Sequence, residues 1–91
     1  MREESVEIWS DQTNAAVIRH PGRRFPGVLV QGDTLYSLCQ QADLACRELK
    51  RSCPAYDEIN EVRNTLWGLL NHYKVVLGEH NLPLPFSEQM G

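Results

Sequence analysis

The apolar positions of this chain change period once. Up to Gln31 they fall in short runs with a spacing of about two, and from Leu35 onward they recur every three or four residues. In the first half Val6-Glu7-Ile8-Trp9 alternates, with Val6 and Ile8 on one face, and Asp11-Gln12-Thr13-Asn14 supplies turn formers. Ala15-Ala16-Val17-Ile18-Arg19 follows as a second strand, so the pair reads as a β-hairpin. His20-Pro21-Gly22 turns the chain, with proline presetting φ and glycine expected to take a positive φ. After a second turn at Phe25-Pro26-Gly27, Val28-Leu29-Val30-Gln31 forms a third strand. Short links between consecutive strands favour an antiparallel meander over about residues 5–10, 15–20 and 27–31.

Gly32-Asp33-Thr34 closes the strand half and opens a helix, with Asp33 or Thr34 able to accept its first unpaired N–H bonds. The helix is expected over about residues 34–52. Leu35, Leu38, Cys39, Ala42, Ala45, Cys46, Leu49 and Cys53 fall in one stripe. Arg47, Lys50 and Arg51 crowd its last turns, where cations favour the dipole. Pro54 stops this helix and suits the opening of a second, over about residues 55–78. Asp57, Glu58 and Glu61 gather at its positive end. Its stripe is Ile59, Val62, Leu66, Leu69, Leu70, Tyr73 and Leu77, and Gly78 is the expected terminator. So short a link makes the two helices an antiparallel hairpin. The prolines of Asn81-Leu82-Pro83-Leu84-Pro85-Phe86 exclude a third helix and predict an extended tail over 81–91. The fold class is α+β: a three-stranded meander followed by a two-helix hairpin, read as a single domain over 1–91 with a β half at 1–32 and the hairpin at 33–80.

Composition narrows the function more than the fold. A chain of 91 residues with 42% hydrophobic and 23% charged residues is an ordinary globular domain. Its net charge of −3 argues against nucleic acid, which usually needs a basic face. No apolar run approaches the roughly 20 residues of a membrane span, and the Met-Arg-Glu-Glu-Ser start is no secretory signal. Three cysteines is an odd count for a disulfide framework, so reduced thiols and a cytoplasmic location are expected.

The catalytic signatures are missing as well. On one helix, Cys39, Cys46 and Cys53 would stand about 10.5 Å apart along the axis, beyond a disulfide or a shared metal. They read as core thiols, with Cys53 the one to watch because it precedes a helix N-terminus. His20, His72 and His80 share no ligand spacing, and there is no Cys-x-x-Cys, nucleophile elbow or phosphate loop. The reading is therefore no catalytic residue, no metal and no cofactor.

What remains is the stretch Arg19-His20-Pro21-Gly22-Arg23-Arg24-Phe25, the densest positive charge in the chain, with an aromatic beside it. Such a loop suits a protein contact or an anion. It also suits plain solvation, with its arginines paired to Glu7, Asp11 or the acidic second helix. Tyr36, Leu44, Trp67 and Val75, with Trp9 and Phe25, are apolar residues that the stripes leave over. Surplus aromatics point to a partner surface. The candidate partner-binding residues are Arg19, His20, Arg23, Arg24, Phe25, Tyr36 and Trp67.

The block His20-Pro21-Gly22-Arg23-Arg24-Phe25-Pro26-Gly27-Val28-Leu29-Val30-Gln31-Gly32-Asp33-Thr34-Leu35 resembles one in short, uncharacterised bacterial proteins grouped as a domain of unknown function. The resemblance extends from the Val6 strand to the second helix and transfers no catalytic residue. It implies a bacterial, free-standing domain, and small acidic bacterial proteins of this kind are often toxin-blocking immunity proteins or minor regulators. The expectation is a non-enzymatic binding protein of toxin-neutralising type, whose partner is a protein and not a membrane. The alternatives are a regulator that binds a phosphate-containing anion through Arg23 and Arg24, and a structural homodimer.

Overall fold

The structure, a computed structural model, describes residues 1–87. The chain divides into two compact units at the junction between Gln31 and Gly32. The tail expectation for residues 88–91 lies outside the described residues.

The first unit is a three-stranded antiparallel sheet, β1 (Glu7–Ser10), β2 (Ala16–Arg19) and β3 (Gly27–Leu29), in the order β1-β2-β3. The meander is as expected, because each link is shorter than any crossover needs. Ile8 pairs with Ile18, but Ser10 rather than Trp9 faces Val17, so Trp9 is the extra residue of a β-bulge. Thr13 closes the first turn, its Oγ1 donating to the Ala15 carbonyl at 2.9 Å. The second turn departs from expectation at its glycine. The Arg23 amide bonds the His20 carbonyl at 2.9 Å, yet Gly22 has no positive φ. Instead, the Gly22 N–H donates to His20 Nδ1 at 3.0 Å, so the histidine ring stabilises a turn that proline alone presets. The third strand is shorter than expected, ending at Leu29.

The second unit is the helical hairpin, α1 (Gly32–Glu48) and α2 (Ala55–Glu79). α1 stops one turn before the expected Ser52. The Leu49 amide makes the last helical bond, to Ala45, and the Cys53 amide then returns to Lys50 in a separate turn. Pro54 then keeps Cys53 from continuing the helix, since the residue before a proline is pushed out of the helical region. Cys53 is thus part of the link and not of the α1 stripe. At the other end Gly78 does not terminate α2. The helix continues to Glu79, and Asn81 takes the left-handed conformation with φ 56°. The Leu82 amide bonds the Leu77 carbonyl and the Asn81 amide bonds that of Gly78, a Schellman closure built on asparagine.

The buried hydrophobic core of the hairpin is Leu70 and Cys39, both fully buried, together with Cys46. The inward face of α2 keeps most of the expected stripe, with Leu70 buried and Ile59, Leu66, Tyr73 and Leu77 half-buried, but it is turned about the helix axis. Val62 and Leu69 are more than half exposed, whereas Trp67, Arg63 and Lys74 are half-buried. At 100° per residue the expected stripe centres about 50° away from Leu70, and the observed face straddles that residue. Trp67 explains the rotation: its Nε1 donates to Asp43 Oδ1 at 3.0 Å, and its ring meets Tyr36 edge-on at 6.5 Å. Half-buried Arg63 and Lys74 fall on the same face of the helix.

Gly32, at the start of α1, lies against the Tyr73 ring. A Cβ there would stand 2.5 Å from the Tyr73 hydroxyl oxygen, so only glycine leaves room for the ring. Gly32→Ala is expected to lower stability by about 1–3 kcal/mol through overpacking, although alanine is the better helix former. Gly32→Ala/Tyr73→Leu should regain at least half of the loss in urea unfolding followed by circular dichroism. A single variant as stable as the parent would show that Tyr73 swings aside freely.

No helix among the described residues is long and apolar enough to cross a membrane.

Candidate functional site

The sheet unit carries its apolar side chains outward. Ile8, Trp9, Val28 and Leu29 are 64%, 61%, 63% and 47% exposed. Pairing puts Ile18, Leu29 and Gly27 on one face and Val17 and Val28 on the other, so both faces are apolar. A groove of about 330 Å³ opens on this unit, lined by Ile18, His20, Arg23, Phe25, Gly27, Val28 and Leu29. The sequence-derived basic loop and the third strand therefore form one concavity, apolar along β3 and cationic at Arg23.

Each residue of the basic loop now has a place. Arg19 lies directly opposite Glu7 in the sheet and forms a close ion pair with it through Nε. Its Nη1 also reaches the Arg23 carbonyl at 3.5 Å. Arg19 thus knits the loop to the sheet, as the plain solvation reading expects of such arginines. His20 accepts the Gly22 amide at Nδ1, which leaves Nε2 as the donor of the neutral ring. Arg23 lines the groove with no carboxylate partner among the described residues. The Arg24 guanidinium stands 5.4 Å over the Phe25 ring, a cation–π contact. Phe25 itself is 73% exposed, the most exposed aromatic among the described residues.

The other two candidates belong elsewhere. Tyr36 and Trp67 are half-buried in the helical unit, where Phe86 stacks on Tyr36 at 4.3 Å with the rings 8° from parallel. The tail thereby lays Phe86 and half-buried Leu84 on the hairpin and leaves Leu82 outward. Of the leftover apolar residues, Trp9, Phe25, Leu44 and Val75 face solvent, and Tyr36 and Trp67 are packing residues. Four groove residues, Ile18, Gly27, Val28 and Leu29, were not among the sequence-derived candidates. They look like ordinary strand residues until the register pairs Ile18 with Gly27 and Val17 with Val28.

The groove offers an apolar floor, two side-chain donors and no carboxylate. Among the described residues no group of three His, Cys, Asp or Glu side chains is placed to hold a metal.

The profile of a family of unknown function, DUF6959, matches residues 1–86, and the chain belongs to that family. No curated protein and no solved structure matches it.

Proposed function

We propose that this member of the DUF6959 family is a non-enzymatic protein-binding module that works through its sheet unit, with toxin neutralisation of the immunity type as its specific role. The observation that carries the reading is the groove beside β3, where exposed Phe25, Val28 and Leu29 meet Arg23, which has no carboxylate partner among the described residues. Interface centres have this make-up, an aromatic or aliphatic anchor ringed by polar groups. Strand order adds a backbone component. β1 and β3 are the edges, and the Trp9 bulge spoils β1 as a template for pairing. The outer edge of β3 has no bulge and can accept an extended segment whose apolar side chain enters the groove. Arg23 and His20 select for an acidic residue beside that side chain.

The supporting experiment is co-expression with the products of adjacent genes. A one-to-one complex is expected, and Phe25→Ala/Val28→Asp should weaken it about a hundredfold or more, in line with the loss of two interface anchors. Both positions are exposed, so the variant should keep its circular dichroism spectrum. For the toxin role, the wild-type chain should rescue growth of cells that express the partner, and the variant should not. A chain that stays monomeric or only self-associates would overturn the reading.

A further inference from the structure

A second concavity lies wholly on the helical unit, where α1 turns into α2. It is a cleft of about 280 Å³ lined by Cys46, Arg47, Leu49, Arg51, Tyr56 and Arg63. α1 contributes Cys46 and Arg47, the link contributes Leu49 and Arg51, and α2 contributes Tyr56 and Arg63. Buried Cys46 and half-buried Leu49 make its apolar part. Three guanidinium-bearing side chains share the lining, and no Asp or Glu does.

Helix electrostatics explains only one of the three. Arg47 stands in the last turn of α1, where a cation complements the free carbonyls. Arg51 lies in the link and Arg63 well inside α2, so neither is placed by that effect. Nor are they neutralised by neighbours. Among the described residues Arg47 and Arg51 have neither an ion-pair nor a hydrogen-bond partner. Arg63 has one acidic neighbour, Asp43, with Nε 4.0 Å from an Oδ1 that already accepts the Trp67 N–H. Like charges gathered around one cleft repel, and an anion between them would convert that repulsion into attraction.

We propose that this cleft is an anion site for a small phosphate-bearing ligand, either free phosphate or a small phosphomonoester. Guanidinium groups match phosphate oxygens with paired N–H donors, which a lone positive charge cannot do. Tyr56 adds a side chain of donor type, and Cys46 and Leu49 give an apolar patch for a short organic part. The volume falls just under the roughly 300–1,000 Å³ of clefts that enclose drug-sized ligands, so the ligand is small. This site is distinct from the loop arginines Arg23 and Arg24, and it does not depend on the groove beside β3.

Isothermal titration at fixed ionic strength tests it, with inorganic phosphate and glycerol phosphate as probes and acetate as the control anion. Saturable one-to-one binding of at least one phosphate probe is expected, with acetate silent. Arg51→Gln should weaken binding about tenfold, the usual effect of losing one charge-assisted bond. Arg47→Gln/Arg51→Gln should abolish it, while Arg23→Gln/Arg24→Gln should leave it unchanged. Glycerol phosphate affinity should also rise as pH passes from 5 to 7 and the ester gains its second charge near pH 6. Binding of glycerol phosphate alone identifies a monoester site, and equal binding of both probes a site for free phosphate. The proposal fails if neither probe binds, if acetate binds as well, or if binding survives Arg47→Gln/Arg51→Gln. Arg47 and Arg51 are exposed, so these variants should fold.

Discussion

Leu70→Ala should cost about 2–5 kcal/mol, the largest stability loss of any single truncation in the hairpin. Leu70 is fully buried, and the other fully buried side chain is the small Cys39. Removing its branch opens a void that small α1 residues cannot fill without a helix shift. A chain of this length has roughly 5–14 kcal/mol of stability in all, so the loss is a large fraction of it. In thermal unfolding each kcal/mol corresponds to about 4–8 °C. Leu69→Ala is the control. Leu69 is the preceding residue, of the same type, but 57% exposed, and its truncation should change stability by no more than about 0.5 kcal/mol. Equal effects at the two positions would mean that α2 presents the other face inward.

Thiol labelling should separate the three cysteines by rate. Cys53 sits half-buried in the link and should react first, as a single equivalent. Cys39 and Cys46 are buried and should react only when the hairpin opens, at least about a hundredfold more slowly. Cys39 has a second barrier: burial, and then the negative charge of Asp43, push its thiol above the usual range. The sign of the pH effect follows from that shift. The folded state holds the Cys39 proton to higher pH than the unfolded state does, so over that interval the unfolded chain binds fewer protons. The contribution is therefore complete below about pH 8.5, where an unfolded thiol ionises, and declines as pH rises from there through the folded value. Urea unfolding from pH 7 to 10 should show this decline, and Cys39→Ala should flatten it. Rapid labelling of all three sulfurs in the folded protein would show that the helices do not enclose them.

The limits of sequence reading show most clearly on α2. Its extent was legible, because Pro54 and the recurrence of apolar residues are local signals. Its inward face was legible in part: Ile59, Leu66, Leu70, Tyr73 and Leu77 are buried or half-buried as expected, but a count of apolar residues ranks Val62 and Leu69 above Trp67. The indole wins through a hydrogen bond to Asp43, which lies 24 residues earlier and on the other helix. The cleft at the bend was hidden for the same reason. Arg47 and Arg51 read as helix-end charges, and nothing in a linear reading brings Arg63 to join them. In the sheet unit, the basic loop stood out by its composition, whereas its division into a structural Arg19 and a groove-lining Arg23 depended on pairing with Glu7.

Sequence alone therefore determined the order and type of the five elements, the antiparallel meander and the hairpin. Periodicity, proline placement and short links act between near neighbours and survive in any arrangement of the parts. Tertiary structure decided which side chains are inside, where Gly32 yields to Tyr73, and which charges converge. Those outcomes depend on residues that are far apart in the chain and meet only once the helices have chosen their facing sides.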